Sequence, residues 1–220
     1  MKSLVLFSND LRLDDNEAIN AAVESYDLST FVFIFDKSLY EDTHGSANLW
    51  WLEKSLKSLK DRLKDKNICL HIIKGEYVSK ILDIVKKNDF QSVFLNQNKH
   101  PSFISKEKKL EKELSKISVK FYSFNNTNLS EPDSIFNKSG EPYKVYSPFY
   151  KHCKSVYNQK EVFNFPKKII RTYEIDDDFI DVSEIFSKYG NNWSEKFNKY
   201  WKPGEIDCLL YTSPSPRDFT

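Results

Sequence analysis

Five short runs of apolar residues alternate with longer amphipathic stretches between residues 3 and 123. The runs are rich in Val, Ile, Leu and Phe, and apolar and polar positions hardly alternate within them. Continuous runs of this kind are typical of strands that are covered on both faces of a parallel sheet. They predict strands at residues 3–8, 30–35, 68–74, 92–96 and 118–123.

The stretches between these runs carry apolar residues at helical spacing. The longest places four leucines on one stripe, which predicts a helix that packs on the sheet by one face. These leucines are Leu52, Leu56, Leu59 and Leu63. The same spacing predicts helices at residues 17–25, 46–64, 78–85 and 102–115.

The repeated order of strand and helix predicts an α/β fold. The expected architecture is a doubly wound five-stranded parallel sheet of Rossmann-like type with right-handed crossovers. Ligands of such sheets bind beyond the carboxyl ends of the strands, near the point where strand order reverses. Functional residues are therefore expected in the loops that follow the strands, at residues 9–16, 36–45, 75–77, 97–101 and 124–128.

The strand and helix pattern ends near residue 130, which predicts a first domain over residues 1–130. Residues 131–182 are interpreted as a crossover with a short helix and an interdomain connector, exposed over residues 158–181 because hydrophobic anchors are few there. Residues 183–201 are rich in aromatic side chains and require a partner surface to bury them.

Composition narrows the function classes. The chain has 220 residues, 33 Lys and Arg against 32 Asp and Glu, and a net charge of +1, so no basic footprint predicts tight DNA binding. The three cysteines are widely spaced and form no CxxC or Cys/His cluster, so neither a metal site nor a disulfide framework is expected. The apolar start is too short for a signal peptide or a membrane span, which predicts a cytoplasmic protein.

The most informative motif follows the first predicted strand. Residues 4–19 read LVLFSNDLRLDDNEAI, and they resemble the opening of the DNA photolyase/cryptochrome family. Ser8 stands where that family usually has Arg. The matching positions are Asp10, Leu11, Arg12, Asp15 and Asn16.

Four further segments resemble the same family in the right order. They are residues 44–56, the partially matching residues 93–106, residues 140–150 with Tyr143, and residues 201–205, which read WKPGE. In the family the last of these opens the helical, flavin-binding domain. Residues 183–207 are accordingly expected to begin that domain.

The loop residues of the first motif have a structural interpretation. Asp10 and Arg12 can pair with each other or with neighbouring loop backbone, and Asp15 or Asn16 can cap the following helix. We therefore expect these residues to brace the loop, and the same structural role is assigned to Tyr143.

The resemblance implies a protein with two cofactors. FAD performs light-driven repair of pyrimidine dimers in photolyases, and an antenna chromophore of folate or flavin type passes excitation energy to it. The family's flavin cradle and DNA groove have no counterpart in this sequence, so we expect a chain truncated before the flavin domain, inactive by itself and binding damaged DNA weakly or not at all. We expect a monomer.

Candidate antenna residues follow the second and fourth predicted strands. His44 matches the histidine of folate-binding members, but the acidic partner of those members is not evident. A flavin-type antenna held by backbone groups around Phe35, Asp36, Asn96 and Gln97 is an equal alternative, and so is the absence of any antenna.

Residues 208–220 do not continue the family pattern. Their Ser, Pro and Arg content predicts a disordered or non-native tail that resembles a translated sequencing adapter. Three other functions stay open: a cryptochrome photoreceptor, an unrelated nucleotide-binding domain and a stand-alone interaction domain.

Overall fold

The computed structural model of the protein contains a five-stranded sheet flanked by helices. It describes residues 1–40, 45–125, 128, 134–157, 162–168, 170–175, 177, 179–186 and 193–212. The strands start and end within two residues of the predicted runs. They are β1 (Lys2–Phe7), β2 (Leu28–Phe35), β3 (Leu70–Lys74), β4 (Ser92–Asn96) and β5 (Lys120–Phe124).

The sheet is parallel throughout, with strand order β3-β2-β1-β4-β5. Leu4 of the central strand β1 pairs with Thr30 of β2 on one side and with Val93 of β4 on the other. Strand order reverses between β1 and β4, so a crevice is expected beyond the carboxyl ends of these two strands. The predicted fold class is confirmed.

The central strands are buried on both faces. Leu4, Val5, Leu6 and Phe7 are each at most 2% exposed, although adjacent side chains of a strand point to opposite faces. This burial explains why the apolar runs of the sequence hardly alternate.

The long helices follow the predicted pattern and bury the leucine stripe of residues 52–63. Two of them, α1 and α3, have the predicted bounds. The helices are α1 (Glu17–Ser25), α3 (Ser46–Lys64), α4 (Tyr77–Asn88) and α5 (Pro101–Lys116).

A short helix, α2 (Lys37–Tyr40), lies where the sequence predicted only a loop. Its start is stabilised by Asp36, whose Oδ1 accepts hydrogen bonds from the backbone N–H and the hydroxyl of Ser38. Leu39 and Tyr40 are buried, so the helix belongs to the core. The pattern missed it because four residues are too few for a helical period to show.

The connector was predicted to be exposed over residues 158–181, and this is wrong at Ile175, whereas Arg171 and Glu174 beside it are exposed. Strand β3 begins opposite Phe31, so the first residues of β2 extend beyond it. The connector fills this place: Ser29 N–H donates to Arg171 O over 3.0 Å, and Thr30 Oγ1 donates to Tyr173 O over 2.7 Å. Ile175, only 4% exposed, anchors the segment in the core.

The C-terminal part contains α6 (Tyr146–Val156), α7 (Val182–Phe186) and a 3-10 helix (Glu195–Lys199). Of the aromatic residues predicted to need a partner surface, Phe197 and Trp201 contact α3, whereas Tyr200 is exposed. Trp50 lies 6.0 Å from Phe197 and Trp51 lies 6.1 Å from Trp201, measured between ring centroids. Trp50 and Trp51 therefore pack against the C-terminal part of the chain.

The last described helix is α8 (Glu205–Thr212). The expected end of helical structure at residue 208 is therefore wrong for residues 208–212. The physical reason is that residues 205–212 contain neither Pro nor Gly and Cys208 N–H donates to Gly204 O over 2.9 Å, which continues the turn. The remainder of the predicted tail, residues 213–220, lies outside the described residues.

None of the helices in the described part of the chain is both long and apolar enough to cross a bilayer.

Candidate functional site

The crevice beyond the carboxyl ends of β1 and β4 contains a network of buried amide and carboxyl groups. Asn96, the last residue of β4, donates through Nδ2 to Asp10 Oδ2 over 2.8 Å and to Asn16 Oδ1 over 2.9 Å. Its Oδ1 accepts from the backbone N–H of Ala18 over 3.3 Å. Asp10, Asn16 and Asn96 are buried. One side chain therefore joins β4 to the loop between β1 and α1 and to the first turn of α1.

Asp10 receives further hydrogen bonds from within its own loop. The backbone N–H and the hydroxyl of Ser8 donate to Asp10 Oδ1 over 2.8 and 3.2 Å. Burial raises the pKa of Asp10, and the hydrogen bonds from Asn96 and Ser8 act in the opposite direction. Ser8, which replaces the usual Arg of the family, therefore supplies a neutral donor to this carboxyl group.

The other residues of the first motif brace the loop. Arg12 Nε donates to the backbone carbonyl of Asp15 over 2.9 Å. Of the two predicted pairings for Arg12, this is the one with neighbouring loop backbone. Asn16 caps α1, because its Oδ1 accepts from the backbone N–H of Ile19 over 3.1 Å. Asp15 has a positive φ of 50° and its Oδ1 accepts from the N–H of Phe163 over 3.4 Å, so it connects the loop to the connector.

Tyr143 contributes to a separate cluster in the segment that contains α6. Its hydroxyl lies 3.1 Å from His152 Nδ1, and its ring makes edge contacts with His152 and Phe149. These contacts fit the structural role predicted for Tyr143.

A second polar cluster follows β2 and β3. Lys106 Nζ lies 2.7 Å from Asp36 Oδ2 and 2.8 Å from Glu76 Oε1, and Tyr77 N–H donates to Asp36 Oδ2 over 2.9 Å. Burial alone raises the pKa of Glu76, but hydrogen bonds from Lys106 and Ser79 outweigh it and lower the pKa to about 2. The carboxylate of Asp36, an antenna candidate, is thus already bound by protein donors.

The loop between β4 and α5 carries the remaining antenna candidate. Gln97 Oε1 accepts from Lys99 Nζ over 2.7 Å, and the backbone N–H of Gln97 donates to Phe124 O over 2.8 Å. The next residue, Asn98, donates its backbone N–H to Glu107 Oε1 over 3.3 Å. Its side-chain Nδ2 is buried and has no hydrogen-bond partner in the described part of the protein.

Glu107 is buried in this loop region and was missed by the sequence reasoning. The pKa of Glu107 is raised to about 7, chiefly by burial and also by the charge of Asp10, whereas the N–H of Asn98 and the charge of Lys99 act in the opposite direction. The signal was present in the sequence, because Phe103, Glu107 and Leu110 recur at helical spacing on the buried face of α5. The sequence reasoning also missed Lys106, because nothing distinguishes it from the other lysines of the charged helix α5.

His44, the folate-type candidate, lies outside the described residues. Among the residues that the structure does describe, no group of three or more His, Cys, Asp or Glu side chains could hold a metal ion. The crevice thus offers amide and carboxyl groups and backbone N–H groups. Such groups can recognise the polar edge of a planar ring by hydrogen bonds.

We predict that Asn96→Ala destabilises the protein by about 2–4 kcal/mol, because Asp10, Asn16 and the N–H of Ala18 each lose a buried hydrogen-bond partner. Urea unfolding followed by circular dichroism measures this change. Gln97→Ala, in the adjacent and only half-buried position, is the matched control and should cost less than about 1 kcal/mol. Equal losses for the two variants would contradict a central role for the Asn96 amide.

We predict that Glu107→Gln changes how stability depends on pH. The raised pKa means that the neutral Glu107 is favoured in the folded state. Its contribution is therefore complete below the ordinary pKa of 4.5 and is lost as pH rises through about 7. Between pH 5 and pH 8 the wild type should lose on the order of 2 kcal/mol more stability than Glu107→Gln.

Urea unfolding at the two pH values tests this expectation. Glu111→Gln, an exposed position on the same helix, is the control and should follow the wild type. A Glu107→Gln variant that also follows the wild type would show that Glu107 titrates without affecting stability.

Comparison with known families and proteins gives one consistent result. The family model for DNA photolyase matches residues 3–167. A deoxyribodipyrimidine photo-lyase of Agrobacterium fabrum is 28% identical over 208 residues, which are 94% of this chain and 43% of the relative. Cryptochrome-1 of Arabidopsis thaliana is 30% identical over 173 residues, 76% of this chain and 25% of the relative.

Solved structures agree with these sequences. A bacterial class III photolyase from Agrobacterium tumefaciens superposes with a TM-score of 0.84 at 27% identity, covering 95% of this chain and 43% of that one. An archaeal photolyase from Sulfolobus tokodaii with two FAD molecules, at 21% identity and a TM-score of 0.77, shares the fold over 98% of this chain and 46% of its own. This chain spans less than half the length of these relatives, and it belongs to the DNA photolyase family.

Proposed function

We propose that this chain is the light-harvesting α/β part of a deoxyribodipyrimidine photolyase and that its crevice holds an antenna chromophore. The observation that carries the proposal is the match to the photolyase family over residues 3–167, which includes the strands and loops that form the crevice. We further propose the division into an α/β domain (1–130), a crossover and connector (131–182), the start of a helical domain (183–207) and a C-terminal segment (208–220), whose residues 208–212 belong to α8.

The antenna chromophore is proposed to be a folate or a flavin. Both have a planar ring with a lactam edge, which presents a carbonyl acceptor beside an N–H donor. The buried Nδ2 of Asn98, which has no hydrogen-bond partner within the described ranges, is a donor for such a carbonyl, and the neighbouring Glu107 carboxyl group can accept from the N–H. Gln97 and the backbone after β2 and β4 supply further polar groups, with His44 as the candidate from the folate-binding pattern.

Asp36 and Asn96 contribute backbone groups and not side chains in this proposal. Their side chains already bind Lys106 and Tyr77 in one case, and Asp10 and Asn16 in the other. They therefore shape the two sides of the crevice and leave ligand contact to their backbone groups.

FAD is assigned to the part of the relatives' length that this chain does not span. When bound, it supplies the electron that splits a pyrimidine dimer after excitation by blue light. Damaged DNA is assigned to the longer protein as its partner, since the net charge of +1 gives no basic footprint that predicts tight DNA binding by this chain. The protein is proposed to be cytoplasmic and monomeric.

A cryptochrome photoreceptor is the second candidate. The Arabidopsis cryptochrome matches at 30% identity, but over 76% of this chain, whereas the Agrobacterium photolyase matches over 94%. The wider coverage favours the photolyase.

We predict that the purified chain binds FMN or 5,10-methenyltetrahydrofolate in a saturable way, and that Asn98→Ala weakens this binding about tenfold. The reason is the loss of one hydrogen bond from a buried donor, worth about 1.4 kcal/mol. Titration followed by chromophore fluorescence gives both affinities. Asn198→Ala, an exposed position of the 3-10 helix, is the control. Absence of saturable binding for both chromophores would refute the antenna site.

We also predict that the 220-residue chain alone does not repair thymine dimers in blue light. Recovery of pyrimidine absorbance in an irradiated oligonucleotide measures repair, with the Agrobacterium photolyase as the positive control. The longest reading frame that contains this chain should repair dimers under the same light if the protein is a photolyase. A longer protein that binds FAD but leaves dimers intact would favour the cryptochrome.

A further inference from the structure

The start of α8 is held against the crevice loop, defined here as residues 10–16. Ile206, Cys208 and Leu209 of this helix are exposed, whereas only 8% of the Glu205 side chain is exposed. The charged side chain of the first residue of α8 is therefore more buried than these three residues that follow it.

Glu205 binds the crevice loop through both oxygens of its carboxylate. Oε2 accepts from the backbone N–H of Leu13 over 2.8 Å, and Oε1 accepts from the N–H of Asp14 over 3.1 Å. The guanidinium of Arg62 on α3 donates to Oε2 as well and lies 3.3 Å from the carboxylate of Asp14. Two successive backbone N–H groups and a guanidinium form a strong site for one carboxylate.

Gly204 fixes the position from which Glu205 reaches this site. Its φ is +135°, and a Cβ there would lie 2.4 Å from the hydroxyl oxygen of Ser58 on α3. Only glycine fits such a turn without strain. The chain therefore enters α8 in close contact with α3, and this contact aims the Glu205 side chain at the crevice loop.

The crevice loop lies between two anchors. On one side Asn96 binds Asn16 and Asp10, and on the other side Glu205 binds Leu13 and Asp14. Hydrogen bonds within the loop connect the two anchors. Asn16 Nδ2 donates to Arg12 O over 2.9 Å, and Arg12 Nε donates to Asp15 O over 2.9 Å.

We propose that Glu205 is a positioning residue that couples α8 to the crevice, so that docking of α8 and ligand binding in the crevice stabilise each other. The ligand part rests on the proposed antenna function, whereas the coupling of α8 to the loop does not. Coupling between two sites is reciprocal. Loss of the Glu205 contact therefore lowers the affinity for the ligand by the same factor by which the bound ligand favours the docked position of α8.

Hydrogen exchange tests the coupling without any ligand. Glu205→Ala should raise amide exchange about tenfold in α8 and also in residues 10–16, because both lose the same anchor. Glu205→Gln keeps the side-chain shape but sets an amide N–H against one of the two backbone N–H groups, so it should have the same effect in weaker form. Glu195→Gln, an exposed position on the 3-10 helix, should leave both segments unchanged.

The outcome in the loop decides the proposal. Faster exchange in α8 with unchanged exchange in residues 10–16 would overturn it, because the two segments would then move independently. Urea unfolding of Glu205→Gln is the control for a general loss of fold. An unfolding curve equal to that of the wild type means that faster exchange in this variant comes from the lost contact and not from a destabilised sheet.

The second experiment titrates wild type and variants with FMN. The expected result is a loss of affinity of about fivefold to tenfold in Glu205→Ala, with Glu195→Gln at the wild-type value. Equal affinities in wild type and Glu205→Ala would overturn the ligand part of the proposal. A wild type that binds no FMN would refute an FMN antenna and the ligand part with it, and the exchange experiment would still decide the coupling.

Discussion

The hydrogen bonds of the Asn96 amide hold together the region on which the rest of the structure depends. Asn96 ends β4, Asp10 follows β1, and Asn16 caps α1, so one amide connects two adjacent strands and a helix where strand order reverses. In a doubly wound sheet this is the place where loops diverge and backbone groups lose their strand partners. A buried network satisfies those groups without water and gives the loops a defined shape.

This arrangement has a consequence for the chemistry of the crevice. Polar side chains that a structural network has already bound cannot also recognise a ligand without losing buried hydrogen bonds. Asp10, Asn16, Asn96 and Asp36 are in this position, although the sequence presents them as the obvious polar residues near the carboxyl ends of the strands. The proposed antenna site therefore uses other groups, namely Asn98 Nδ2, which has no hydrogen-bond partner among the described residues, and the Glu107 carboxyl group, whose pKa is raised to about 7.

Sequence reasoning worked where burial imposes a regular period. The strands are buried on both faces and the leucine stripe of α3 recurs at helical spacing, so the sheet and the long helices could be predicted with accurate bounds. It failed where stability comes from contacts between distant segments. Ile175 and Tyr173 dock the connector on β2, and nothing in the local composition of residues 158–181 indicates that a sheet edge is available there. Glu107 was missed because charged residues dominate α5 and only its register shows that it points inward.

The residues that identify the family are largely the ones that build the architecture. Asp10 and Asn16 organise the loop after β1, and Glu205 of the WKPGE segment binds the N–H groups of that same loop from 191 and 192 residues away along the chain. A motif of this kind is recognisable because its residues bind one another across distant segments of the chain, so each segment needs the matching residues for the fold to form. It therefore identifies the shared scaffold of photolyases and cryptochromes, and the distinction between repair and signalling has to come from groups that touch the dimer or the flavin.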